Sequence, residues 1–160
     1  MNHRFLLGLA AALAVGACAP TRTVSSGAAP GANLAAYTSF TFVNPTPTGD
    51  SNPLTYERVR QGVEEALTSK GYARSDPADL SVIITLGKRD TTDVVTQGWW
   101  GRTDVYHYTE GKVSVDVFNA HTRQTLWHGQ ASQAINPHGA EPATIKAAVT
   151  SVMAQFPARP

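Results

Sequence analysis

The sequence predicts an α+β domain: a β-α-β-β-β-α sandwich in which one four-stranded sheet carries two helices on one face and a β-ribbon protrudes between strands 2 and 3. Three observations carry this. Apolar residues recur at helical spacing in two segments, they alternate with period two in four others, and Pro- or Gly-rich stretches separate the segments.

The first strand is expected over Ala36 to Val43, where Thr38, Phe40 and Phe42 alternate with Tyr37, Ser39 and Thr41 ahead of prolines at 45, 47 and 53. Thr55 to Lys70 follows as an amphipathic helix. It places Tyr56, Val59, Val63, Ala66 and Leu67 on one face, with Gly71 as its C-terminal cap. Asp79 to Gly87 sets Leu80, Val82, Ile84 and Leu86 against Ser81, Ile83 and Thr85, the pattern of a half-buried strand. Lys112 to Phe118 repeats it with Val113, Val115 and Val117. A turn at Asn119 to Gln124 leads to a strand from Thr125 to Ala134, whose inner face carries Trp127, Gly129 and Ala131. Pro142 opens the second helix, with Ile145, Ala148, Val149, Val152, Met153 and Phe156 at helical spacing, and Pro157 ends it. Trp127 reads as the core anchor of the last hairpin.

Between Gly87 and Gly111 lie 24 residues, Gly111 included, longer than a structureless loop inside a compact domain. Extending both flanking strands resolves this. The ribbon then pairs Asp93 to Gln97 with Val105 to Thr109 and carries Gly98-Trp99-Trp100-Gly101 near its tip. Adjacent strand residues point to opposite faces, so at least one of Trp99 and Trp100 is difficult to bury in the domain. With Tyr106 and Tyr108 they form a candidate contact surface for a protein partner, an apolar ligand or the lipid interface; the alternative is that they fold back over the sheet edge.

The amino-terminal part is read for location. His3 and Arg4, an apolar stretch from Phe5 to Val15 and small residues before Cys18 resemble the lipobox of bacterial lipoproteins, in which the cysteine sulfur takes a diacylglycerol and becomes the acylated new terminus. A transmembrane span needs about 20 apolar residues, and here Pro20 breaks the run. A plain secretory leader with Ala17 and Ala19 before the cut would place Pro20 directly after it. The expected organisation is a signal peptide over 1–17, lipidated Cys18 and a flexible tether to residue 34, and one domain over 35–160. The tether residues Ala19 to Asn33 are mostly Ala, Pro, Gly, Ser and Thr, a coil with an end-to-end distance of roughly 20 to 25 Å. Three acyl chains would make release negligible, since burial contributes about 0.8 kcal/mol per CH₂. Ala19 rather than Asp after the cysteine resembles lipoproteins sorted to the inner leaflet of a Gram-negative outer membrane, facing the periplasm.

The whole chain carries 13 Lys and Arg against 12 Asp and Glu, and loss of Arg4 with the leader brings the balance to zero. No basic cluster appears, so nucleic acid is not an expected partner. With its single thiol acylated the mature chain has no possible disulfide. Neither a phosphate-cradling glycine loop nor a dinucleotide fingerprint is present, and no cofactor is expected. His107, His121, His128 and His138, with Asp116 and Glu110 nearby, lack the short fixed spacing of a metal site; only His121 and His128 could approach each other across the hairpin. No serine stands in a nucleophile elbow, and Asp90, Asp93, Asp104 and Glu110 read as solubilising charges of an exposed hairpin rather than a paired-carboxylate site.

Several segments together resemble the domain-of-unknown-function 4136 (DUF4136) family of bacterial envelope lipoproteins. They are Tyr37-Thr38-Ser39-Phe40, Lys70-Gly71-Tyr72, Asp79-Leu80-Ser81-Val82, Glu110-Gly111, Val113 to Ala120, Leu126-Trp127-His128-Gly129 and Phe156-Pro157. Two positions depart from the family pattern: Asn119 stands where Asp is usual, and Arg123 where Gly is frequent, which leaves the geometry of that turn open. The resemblance implies a location and a fold, and brings no catalytic residue. The expected function is a non-enzymatic, lipid-anchored domain that binds an envelope protein or helps maintain the envelope. The alternatives are a carrier of small apolar ligands, using the space between sheet and helices, and an enzyme acting on envelope polymers.

Overall fold

A computed structural model describes residues 22–43, 52–97, 102–136 and 138–160. In chain order they form β1 (Arg22–Ala28), a 3₁₀ turn (Leu34–Ala36), β2 (Ser39–Phe42), α1 (Pro53–Ser69), β3 (Ala73–Arg74), β4 (Leu80–Gln97), β5 (Arg102–Asn119), β6 (Thr125–Ile135) and α2 (Pro142–Met153). The sheet has six strands in the order β1-β6-β5-β4-β2-β3, with β2 parallel to β3 and β4 and the other pairs antiparallel.

The expected four-stranded sheet is therefore corrected at both edges. The segment expected to be a tether holds β1, which pairs along its whole length with β6, from Arg22 opposite Gln133 to Ala28 opposite Trp127. Its composition hides this because edge pairing uses backbone groups that every non-proline residue has. Only Val24 of the strand packs against the core. Arg22 adds a side-chain lock, donating to Gln133 Oε1 at 2.6 Å and to Ser151 Oγ at 3.1 Å. At the other edge, β3 is two residues long, too short for any periodicity to mark it.

α1 begins where Asn52 Oδ1 accepts from the Leu54 N–H at 2.9 Å, with Pro53 at its first position. It ends in a Schellman arrangement: Tyr72 N–H reaches Leu67 O at 3.1 Å, Gly71 N–H reaches Thr68 O at 3.0 Å, and Gly71 takes φ 90°. α1 and α2 pack on one another and on one sheet face. Val59, Val63, Leu67, Ile145, Val149 and Val152 meet Leu80, Val82, Ile84, Val113, Val115 and Val117 in one buried cluster. The other face is mainly polar, with Ser81, Thr85, Asp116, His128 and Gln130 alongside Ile83 and Phe118, as expected of a sheet covered on one side. Trp127 is 2 % exposed and meets Phe156 edge-on, with ring centroids 5.1 Å apart. Phe156, read as part of the last helix, lies beyond its end at Met153 and plugs the core from there.

The ribbon is present with a different register. β4 and β5 pair without interruption from Leu80 opposite Asn119 to Gln97 opposite Arg102, so Asp93 faces Tyr106 rather than Thr109. The core pairs Val82–Val117 and Ile84–Val115 fix this, since a one-residue slip would turn the whole apolar set out of the core. β6 ends opposite Thr109, and beyond that level the ribbon is two-stranded.

Candidate functional site

The ribbon's faces follow from the pleat. Val94 pairs with Val105 on the face that carries the helices further down the sheet; Val95, Tyr106 and Tyr108 lie on the other, with Asp93 and Asp104. Among the described residues six large apolar side chains are exposed, and four of them are here: Val94 at 62 %, Val95 at 40 %, Val105 at 53 % and Tyr106 at 51 %. Tyr108 is half-buried, and its hydroxyl is pushed above its usual value by loss of hydration and then by Asp93. Trp99 and Trp100, the other half of the expected contact surface, lie outside the described residues, as does Cys18.

Pairwise polar contacts dress the ribbon. Thr109 Oγ1 donates to Asp90 at 2.8 Å, Thr92 Oγ1 meets His107 Nδ1 at 3.0 Å, and Arg89 donates to Glu110 at 2.6 Å. The Ser132 hydroxyl and then Arg89 hold Glu110 below its usual range. Asp90, Asp93, Asp104 and Glu110 are thus strung along both faces of the ribbon. His121 and His128 do not pair with each other: His128 Nδ1 lies 2.6 Å from Asp116 Oδ1, while His121 sits in the turn. Among the described residues no group of three or more His, Cys, Asp or Glu is gathered as a metal site would need.

A cleft of about 630 Å³ lies at the ribbon's base, between the sheet and the first turns of α1 and α2. Val59, Leu86, Val113 and Ile145 contribute apolar lining, and Lys88, Lys112, Gln133 and His138 are among its polar residues. Gly111 leaves room there for the Ile135 side chain: a Cβ at 111 would come within 2.9 Å of Ile135 Cδ1, so a larger residue would need that side chain to shift. No carboxylate lines the cleft among the described residues. Sequence periodicity had no means of locating it, because its walls come from five separate elements, α1, β4, β5, β6 and α2.

The two family departures in the last turn become legible here. Arg123 has φ 58°, the left-handed region, which explains why glycine suits that position. Asn119 Oδ1 accepts from the His121 and Thr122 N–H groups, both at 2.9 Å, which an aspartate would do equally well.

The family model described as "Domain of unknown function (DUF4136)" matches residues 24–158, and the chain belongs to that family. No curated protein matches the sequence. Among solved structures, a PDZ domain protein from Parabacteroides distasonis superimposes with a TM-score of 0.61 at 11 % identity over 85 % of this chain. This chain spans only 36 % of that protein. The PelC dodecamer from Paraburkholderia phytofirmans gives a TM-score of 0.59 at 12 % identity, covering 88 % of this chain and 100 % of that one. At such identities these likenesses concern the fold alone.

Proposed function

Taking this chain as a DUF4136 protein, we propose that it is a lipid-anchored, periplasm-facing protein of a Gram-negative envelope that works by contact rather than catalysis, with the ribbon as its contact element. The observation that carries this is the concentration of exposed apolar side chains at Val94, Val95, Val105 and Tyr106, on a segment the core does not need. The resemblance of the residues before Cys18 to a lipobox supports the anchor. Among the described residues no helix is long and apolar enough to cross a membrane.

Two measurements test this. Cys18→Ser should convert a membrane-bound, processed protein into an uncleaved or soluble one; a serine variant that stays with the outer membrane through high-salt washing and is still processed normally refutes the anchor. Replacing Val94, Val95, Val105 and Tyr106 together by serine should leave the melting temperature within a few degrees of wild type while abolishing the ribbon's envelope cross-links. Unchanged cross-links would refute the contact role.

A second reading, a carrier of a small apolar ligand, is favoured by the cleft at the ribbon's base, whose volume falls within the usual range for small-molecule sites. Thermal stabilisation by candidate amphiphiles, lost on Ile145→Glu, would support it.

A further inference from the structure

β1 runs away from the ribbon tip, so the chain enters the sheet at the ribbon's end. Its first residue, Arg22, lies opposite Gln133, which lies opposite Gly111 at the ribbon's base. Four residue steps separate Cys18 from Arg22, a contour of at most about 14 Å. The nine steps from Gly111 to Arg102 carry the paired ribbon about 30 Å past that level, in the direction from which the chain arrives. An acyl group on Cys18 would therefore hold the ribbon end of the domain against the bilayer, and keep the far end, where Tyr72 and Phe156 close the core, away from it. With so short a lead, a ribbon whose tip stays outside the hydrocarbon has to lie within roughly 30° of the membrane plane.

The ribbon carries exposed apolar side chains on both faces among its polar ones, Val94 and Val105 on one and Val95 and Tyr106 on the other. Folding back onto the domain could bury only one of these pairs. From this geometry we infer that the ribbon is a second, non-covalent foot on the lipid surface that holds the anchor. The inference rests on the anchored reading above and names the surface its ribbon contacts. Contact is interfacial. A two-stranded ribbon pushed into hydrocarbon would leave the N–H and C=O groups of both edges unpaired, and Asp93 and Asp104 would be stripped of water. At the headgroup level the valines can bury in the acyl boundary, and a tyrosine keeps its hydroxyl wet. Two attachment points would set the orientation of the domain, and with it the direction in which the cleft opens.

Cys18 is the only cysteine of the chain, so one introduced thiol can be labelled alone once Cys18 is serine. In the chain from residue 18 onward, Cys18→Ser with Val94→Cys carries an environment-sensitive fluorophore and is titrated with vesicles of phosphatidylethanolamine and phosphatidylglycerol. The acyl group is absent, so the ribbon must respond by itself. The expected result is a blue-shifted spectrum quenched by brominated lipid, and at least a tenfold weaker response when Val95, Val105 and Tyr106 are also serine. The same fluorophore at Gln130→Cys, on the polar sheet face, should stay water-like. No response at millimolar lipid, an equal response at position 130, or cross-linking of position 94 to a protein in place of any vesicle response would overturn the inference. Failure of the anchored reading shows separately: a wild-type protein that fractionates as soluble while its ribbon still responds to vesicles loses the anchor and keeps the foot.

Discussion

Gly129→Ala is the sharpest test of how the core is built, because the indole of Trp127 lies along its own strand directly over residue 129. A Cβ there would meet three atoms of the six-membered ring, two of them at 2.7 and 2.8 Å and the third closer still. The ring has little freedom to yield, being 2 % exposed and held edge-on by Phe156 at 88°. Overpacking a core typically costs about 1 to 3 kcal/mol, and ejecting the ring altogether would approach the roughly 3 to 5 kcal/mol of a Trp→Ala truncation. About 3 kcal/mol is therefore expected for the alanine, or a fall in melting temperature on the order of 10 °C for a domain of this size. Urea unfolding measures it, read as a lower midpoint at unchanged slope. The control is the same substitution in a Trp127→Leu background, where the obstructing ring is gone. There the added alanine should cost less than about 1 kcal/mol, a coupling of roughly 2 kcal/mol between the two positions. A single variant within about 0.5 kcal/mol of wild type, or an equal cost in both backgrounds, would refute the reasoning.

Three further outcomes are expected from the fold. Arg123→Gly should stabilise the domain by up to about 1 kcal/mol, since it relieves a left-handed residue at φ 58°; a lower melting temperature would contradict the turn. Asp79 is held down to about 2 by the Thr38 backbone N–H, then the Thr38 and Ser39 side chains, so its contribution is present above its ordinary value near 4 and fades as pH falls toward 2. Asp79→Asn should therefore be least stable relative to wild type above pH 4, with the gap closing in acid, and a gap independent of pH would exclude this. Replacing His121 and His128 together by glutamine should change stability by only about 1 kcal/mol, the scale of a solvent-accessible ion pair, since His128 with Asp116 is only partly buried; a chelator that lowers the wild-type melting temperature would support a metal role.

What the amino-acid sequence determined by itself is which side chains face inward. Leu80, Val82 and Ile84 on one strand, Val113, Val115 and Val117 on the next, and Tyr56, Val59, Val63 and Leu67 on a helix are buried as their periods of two and 3.6 demand. The cap at Gly71 was equally legible, because only a residue free to take φ 90° closes that helix, and the 24-residue gap announced a ribbon because loops of that length are rare inside a domain. What only the tertiary structure decided is who pairs with whom. β1 has almost no apolar signature and joins the sheet through its backbone, so six strands stand where the patterns alone indicate four. The ribbon register is set remotely by core pairs such as Val82 with Val117, and local alternation accommodates several registers equally well. His128 with Asp116, Trp127 over Gly129, and the meeting of chain entry, ribbon and cleft at one end of the sheet are relations between segments distant in sequence. A side-chain pattern states that a face is apolar; chain closure, backbone pairing and packing select the surface it meets.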